Sequence, residues 1–365
     1  RSNARLGTVL FGAWRRSRCY AVCGEGDRRG HGLLGLEYIY SNSKSNAGMN
    51  KLIPMWEMNA EIQWVIFIIL CILVASSLAW FILGKLRPSK LATELQVRTR
   101  SWWVMCACFI VTTLVHPLVT LFGLMYLSYA LLREMYPLLN LDARERNTVL
   151  VCYATVPIQY GLAYFGMETL FLAFIPVFMF VFIPFLLVVR GETKGIVRSI
   201  SLMPYSLIAW VYGMSHLALL FQLPEYPGFT AGPQGLLLYL IFLVGMNDVL
   251  QFAWGKTLGK RPVLPTVSPN KTWEGLIGGV LSITLIAVAM RFLTPLNIWQ
   301  AAVTGFVTAI AGFMGDAIAS GMKRDIGIKN SGHAIPGHGG YLDRLDGFSA
   351  AAAPFFHLIF FFCYH

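Results

Sequence analysis

An all-α, polytopic membrane protein of about nine to ten transmembrane helices is the fold class predicted, on three observations. Of the 365 residues, 56% are hydrophobic and 13% charged, where a soluble domain carries about 25% charged residues. Mean hydropathy is +0.60. Apolar stretches of the roughly 20 residues needed to cross a ~30 Å hydrocarbon core recur along the chain, with lysines and arginines in alternate connections.

By that measure spans lie near 62–83, 148–166, 168–189, 200–223, 235–254, 274–293, 298–320 and 347–363. The block 102–132 is too long for one ordinary span, and Pro117 sits in its middle, where proline breaks the hydrogen-bond ladder. It is either one kinked helix or a tight pair. Charge favours the pair. One side then receives Lys85, Arg87, Lys90, Arg98 and Arg100, next Arg133, Arg144 and Arg146, and next Arg190, Lys194 and Arg198. It also takes Lys256, Lys260, Arg261 and Lys271, and finally Lys323, Arg324, Lys329 and Arg344, against Arg291 alone on the other face from position 62 onward. The rich side is expected to be cytoplasmic. The net charge of +11 is thus read as topology anchors, with the lipid bilayer and no nucleic acid as partner.

Three regions are expected. Residues 1–54 form a basic leader, disordered or non-native, and the working protein is expected to begin near Met49, Met55 or Met58. Residues 55–234 supply the N-terminal transmembrane helices, and 235–365 the catalytic region. Cys71, Cys106, Cys108, Cys152 and Cys363 sit in apolar segments and read as packing residues. Cys19 and Cys23 have metal-like spacing without a second ligand pair.

Chemistry concentrates in the C-terminal third. Asp316 lies about four residues inside the expected end of the 298–320 span, roughly 6 Å deep at 1.5 Å per residue. Asp316, Ser320 and Lys323 share a helical face at i, i+4 and i+7. Asp343 and Asp346, at i and i+3, open the last helix, where its dipole favours carboxylates. Two helix ends can therefore present three carboxylates to one point, a donor set suited to Mg²⁺ completed by water and phosphate. The bland alternative is that these acids only neutralise Lys323, Arg324 and Arg344. In Pro336-Gly337-His338-Gly339-Gly340, missing side chains let backbone N–H groups approach an anion. His338 either donates to a phosphate or caps an ordinary turn. Asp248 lies about six residues inside its span, where an ionisable group is functional by default. Lys256, Ser268 and Lys271 flank a helix start near Thr272, a natural anion site.

These residues resemble the phosphatidate cytidylyltransferase family, the CDP-diacylglycerol synthases, and a shorter bacterial paralogue branch of it. The signature is SGMKRDIGIKNSGHAIPGHGGYLDRLD, from Ser320 to Asp346, preceded by NDVLQFAWGKTLGK and VSPNKTWEG. Asn330 stands where an aspartate is usual, and Tyr341 where an aliphatic residue is usual. The resemblance implies CTP and phosphatidic acid as substrates, CDP-diacylglycerol and pyrophosphate as products, and Mg²⁺ at Asp316, Asp343 and Asp346, with K⁺ as an option beside it. It implies catalytic roles for Lys323, Arg324 and Arg344, and substrate contacts from Asp248, Lys256, Ser268, Lys271, Ser320, Asp325, His338, Gly339 and Gly340. A homodimer is an option. The readings that compete are a CTP-dependent kinase or cytidylyltransferase for another lipid, a transporter lined by Asp248 and Asp316, and a silent lipid-binding paralogue.

Overall fold

The computed structural model describes residues 59–86, 90–114, 116–139, 145–189, 195–328, 330–332, 334–335 and 339–364. The leader 1–54, with Cys19 and Cys23, lies outside them, as does His338. The described chain folds into ten helical rods and one small hairpin. The rods are α1 (Ala60–Leu86), α2 (Lys90–Leu114), α3 (Pro117–Leu138), α4 (Arg146–Tyr164), α5 (Glu168–Val189), α6 (Ile196–Gln222), α7 (Gly232–Leu258), α8 (Trp273–Ala289), α9 (Ile298–Asp325) and α10 (Leu342–Tyr364). Between α7 and α8, β1 (Pro262–Leu264) pairs antiparallel with β2 (Ser268–Thr272). Seven rods are long and apolar enough to cross a membrane; α8 is apolar but shorter, as is the stretch Thr99–Val111 of α2.

The long apolar block does divide in two. The His116 imidazole Nδ1 accepts from the Leu118 N–H at 3.1 Å, and Pro117 takes the first helical position, where its missing N–H costs nothing. Proline starts a helix here instead of kinking one. It acts differently in α5 and α6. Pro176 lies within a π-helical stretch, Phe174–Met179, and Pro204 just precedes another, Leu207–Tyr212. A residue without an N–H lets the ladder slip by one carbonyl, which is how a π turn arises.

Lipid tails are as apolar as leucine, so packing and interhelical hydrogen bonds hold such a bundle together. Leu131, Leu132, Ile183, Leu187, Met203, Leu207, Leu240, Ile283 and Phe355 are fully enclosed, while Phe67, Val181, Phe252 and Leu285 point outward. Ser128 bonds to Tyr160 at 2.9 Å and to the Trp210 carbonyl at 3.1 Å, and Tyr136 to Ser206 at 2.9 Å. Each such bond is worth about 0.6 kcal/mol in a membrane, so they fix register more than they add stability.

Two ends can be told apart. At one, Glu61 meets Thr230, Tyr364 meets Pro224, and Trp299 stacks edge-on to Phe362. Lys271, Lys323 and Arg324 make their bonds at the other. Arg291 follows α8 toward the first end, away from those three.

Glycines bring α9 and α10 together. A Cβ at Gly315 would lie 2.5 Å from both the Ala350 Cβ and the Asp346 carbonyl oxygen, and one at Gly347 would lie 3.0 Å from the Gly312 carbonyl. Backbone thus meets backbone at the level of Asp316 and Asp346. From the other side, Asn247 of α7 donates to the Ala309 carbonyl at 3.1 Å. Both helices run longer than hydropathy suggested. α9 continues to Asp325, which leaves Asp316 nine residues from its end instead of four, and α10 extends beyond the apolar span 347–363 back to Leu342, with Asp343 in its first turn as expected.

Candidate active site

The end of α9, the start of α10 and the β-hairpin meet in one group of charges. Lys271, in β2, forms an ion pair with the Asp316 Oδ2, and the Ser320 hydroxyl donates to its Oδ1 at 3.2 Å. Lys323, one turn further along α9, lies 2.7 Å from Asp343 Oδ1 and 3.8 Å from Asp346 Oδ2. One ammonium therefore serves two carboxylates. Asp346 is only 7% exposed, and Gly347 N–H donates to its Oδ1 at 2.8 Å. Asp248 and Asp346 both lie within electrostatic reach of Asp316 and of each other, and Lys271 and Arg344 act on Asp248. Buried ion pairs of this kind add little net stability, because desolvation offsets the attraction.

Several expected contacts take another form. The amides of Gly339 and Gly340 are not open to an anion: Gly339 N–H donates to the Ile335 carbonyl at 3.1 Å and Gly340 N–H to Asp343 Oδ2 at 3.0 Å. Nor is the start of α8 open. Trp273 N–H donates to the Arg261 carbonyl at 2.9 Å and Gly275 N–H to the Thr272 hydroxyl at 3.2 Å. The Glu274 carboxylate turns back to the amides of Lys260 and Arg261. Arg324 ties two loops together, donating to the carbonyls of Val267 at 3.2 Å and Ile328 at 3.1 Å. Lys256 is exposed, 5.9 Å from the Phe252 ring centroid, and Asp325 and Arg344 are exposed too. Ser268 is half-buried in β2.

The chain matches the model of the cytidylyltransferase family over residues 96–363. It belongs to that family. Cytidylyltransferases are nucleotidyl-transfer enzymes, and this one is built into a membrane as a multi-pass helical bundle. It is 36% identical over 297 residues, 80% of this chain and 96% of the other, to the Escherichia coli (strain K12) protein called "Uncharacterized protein YnbB". It is also similar to enzymes named phosphatidate cytidylyltransferase. The identity is 40% over 114 residues with that of Staphylococcus haemolyticus and 39% over 114 residues with that of Staphylococcus aureus (strain COL). Those matches take in 31% of this chain and 44% of each staphylococcal enzyme, so it spans less than half the length of those relatives.

The donors in this cytidylyltransferase's cluster are hard carboxylate oxygens, which fits Mg²⁺ in kind. Among the described residues no three acidic, histidine or cysteine side chains surround a common point. A metal bound to this cluster as it stands would take two of these carboxylates at most, with water and phosphate supplying the remainder.

One acid of this end was missed in the sequence. Glu134, near the end of α3, accepts from the Leu342 N–H at 2.7 Å. Its partner lies 208 positions away and no spacing rule connects them. Tyr341, beside Leu342 in the chain, packs edge-on to Tyr126 of α3 with ring centroids 6.5 Å apart.

Proposed function

We propose that this protein transfers CMP from CTP to phosphatidic acid, giving CDP-diacylglycerol and pyrophosphate, at the cytoplasmic face of a bacterial inner membrane. The observation that carries this reading is the cluster Lys271–Asp316 and Asp343–Lys323–Asp346, gathered at one end of a membrane bundle in a member of the cytidylyltransferase family. The names of the staphylococcal relatives support a lipid phosphate as acceptor. So does the position of Asp248, exposed on α7 beside the outward-facing Val249 and Phe252, where a headgroup can approach from the bilayer.

In the reaction an oxygen of the lipid phosphate attacks the α-phosphorus of CTP. A new P–O bond forms, the α–β bridge breaks, and pyrophosphate leaves with the electron pair. A phosphate monoester loses its second proton near pH ~6, so no general base is required. What the protein must supply is position and positive charge. Lys271 and Lys323, now paired with carboxylates, are the ammonium groups that turn to phosphate oxygens when substrate arrives. Arg344, exposed at the mouth, takes charge developing on pyrophosphate, while Arg324 holds the two loops that frame the site. Asp316, Asp343 and Asp346 would hold Mg²⁺, with K⁺ as an option beside it; bound there, the metal supplies charge neutralisation and Lewis acidity at the α-phosphorus.

The test is incubation of purified protein with phosphatidic acid, Mg²⁺ and CTP labelled at the α- or γ-phosphate, followed by lipid extraction. The α-label is expected in the lipid phase and the γ-label in aqueous pyrophosphate. EDTA should abolish the transfer and Mg²⁺ restore it. Label from the γ-position in lipid, with CDP left behind, would make the enzyme a kinase and overturn the proposal. Turnover that survives EDTA removes the metal from it.

A further inference from the structure

The loop between α9 and α10 is gripped by two acids. Asp343 is one: its Oδ2 accepts from the amides of Ser331 and Gly340, both at 3.0 Å. The other is Glu134, which reaches in from α3. Its Oε2 accepts from the N–H of Leu342, the first residue of α10. Its Oε1 is enclosed by the same loop. A Cβ at either Gly332 or Gly340 would run into this carboxylate, and one at Gly340 would also meet the Ser331 hydroxyl. Among the described residues neither Glu134 Oε1 nor the buried Ser331 hydroxyl has a hydrogen-bond partner.

The first N–H groups of a helix need acceptors, and a helix ordinarily finds one in a serine, threonine, aspartate or asparagine just before it. The residues before Leu342 are Gly339, Gly340 and Tyr341, none of which carries such a side chain. An acid on a different helix fills that place. It does so one residue before Asp343 and four before Asp346, within the span that decides where those two carboxylates stand against Lys323.

We propose that Glu134 is a positioning residue of the active site. It caps α10 from α3 and thereby sets the height and rotation of Asp343 and Asp346 relative to α9. It touches no substrate, and its carboxylate acts through the α10 backbone. The proposal rests on the cytidylyl-transfer reading only for its kinetic consequence. The geometric claim, that the acidic pair is held in place from α3, stands apart from the reaction. Residues supporting a metal site change metal affinity by about tenfold to a hundredfold when removed, and that is the scale to look for.

The experiment compares wild type, Glu134→Ala and Glu134→Gln, all full-length and purified. Three quantities are read: kcat with its half-saturating Mg²⁺, Mn²⁺ binding followed by electron paramagnetic resonance without substrates, and thermal unfolding. Glu134→Ala should raise both metal midpoints about tenfold or more and lower kcat, leaving KM for CTP within about threefold. Glu134→Gln keeps an oxygen for the Leu342 N–H and should stay near wild type in metal midpoint and melting temperature. The proposal is overturned if Glu134→Ala lowers the melting temperature yet leaves Mn²⁺ binding unchanged, since that describes a purely structural acid. It is overturned as well if Glu134→Gln binds Mn²⁺ as poorly as Glu134→Ala. Should wild type transfer no label from CTP, the functional reading fails, and the Mn²⁺ comparison still decides the role of Glu134.

Discussion

Asp346→Asn will lower kcat by about two to three orders of magnitude, the scale seen when one preorganised electrostatic group is removed from an active site. The protein will still fold. Asparagine keeps the shape of the side chain and an oxygen for the Gly347 N–H, and Lys323 keeps its closer partner, Asp343, so no buried charge is orphaned. Asp316→Asn should behave alike, because the Ser320 hydroxyl and Lys271 can both still find its oxygen. Turnover assays beside gel filtration and melting curves check both variants. Wild-type rates in either would withdraw that residue from the metal and phosphate site.

Lys323→Met should fail in another way. Its ammonium is the shared counter-charge of Asp343 and Asp346, in a place where all three side chains are about nine-tenths buried or more. Removing one partner of a buried pair costs about 3–5 kcal/mol, because the other charge is left without compensation. Here two acids lose their partner at once, so the variant should both melt earlier and lose activity. Adding Asp343→Asn should return part of the stability and none of the activity. A single variant as stable as wild type would show that the two carboxylates are neutralised by another group.

Reading the sequence succeeded where a physical rule acts locally. The bilayer demands an apolar stretch of fixed length, so nearly every rod was visible, and Pro117 marked the one break inside a long stretch. The i, i+3 and i, i+4 spacings placed Asp316 with Ser320 and Asp343 with Asp346 correctly. Hydropathy, however, sees only the part of a helix inside lipid, and it stopped α9 at 320 although Lys323, Arg324 and Asp325 continue it. The hairpin of β1 and β2 is too short to leave a periodic pattern. Gly339 and Gly340 looked like an anion cradle, yet their amides were already spent within the chain. Those bonds, like that of Glu134, join positions that only the folded bundle makes neighbours.

The π-helical stretches of α5 and α6 carry a consequence for chain length. Each accommodates about one residue more per turn than an α-helix, so the extra residue is absorbed locally and the rod beyond it keeps its facing. Deleting one residue between Phe174 and Met179 should close the stretch to a regular α-helix, with Ile183 and Leu187 still enclosed and Val181 and Phe185 still facing out. The same deletion within the regular spiral of Phe180–Val189 would instead turn everything beyond it by about 100°. A π turn is thus a place where this bundle can lose a residue without refitting one rod to its neighbours.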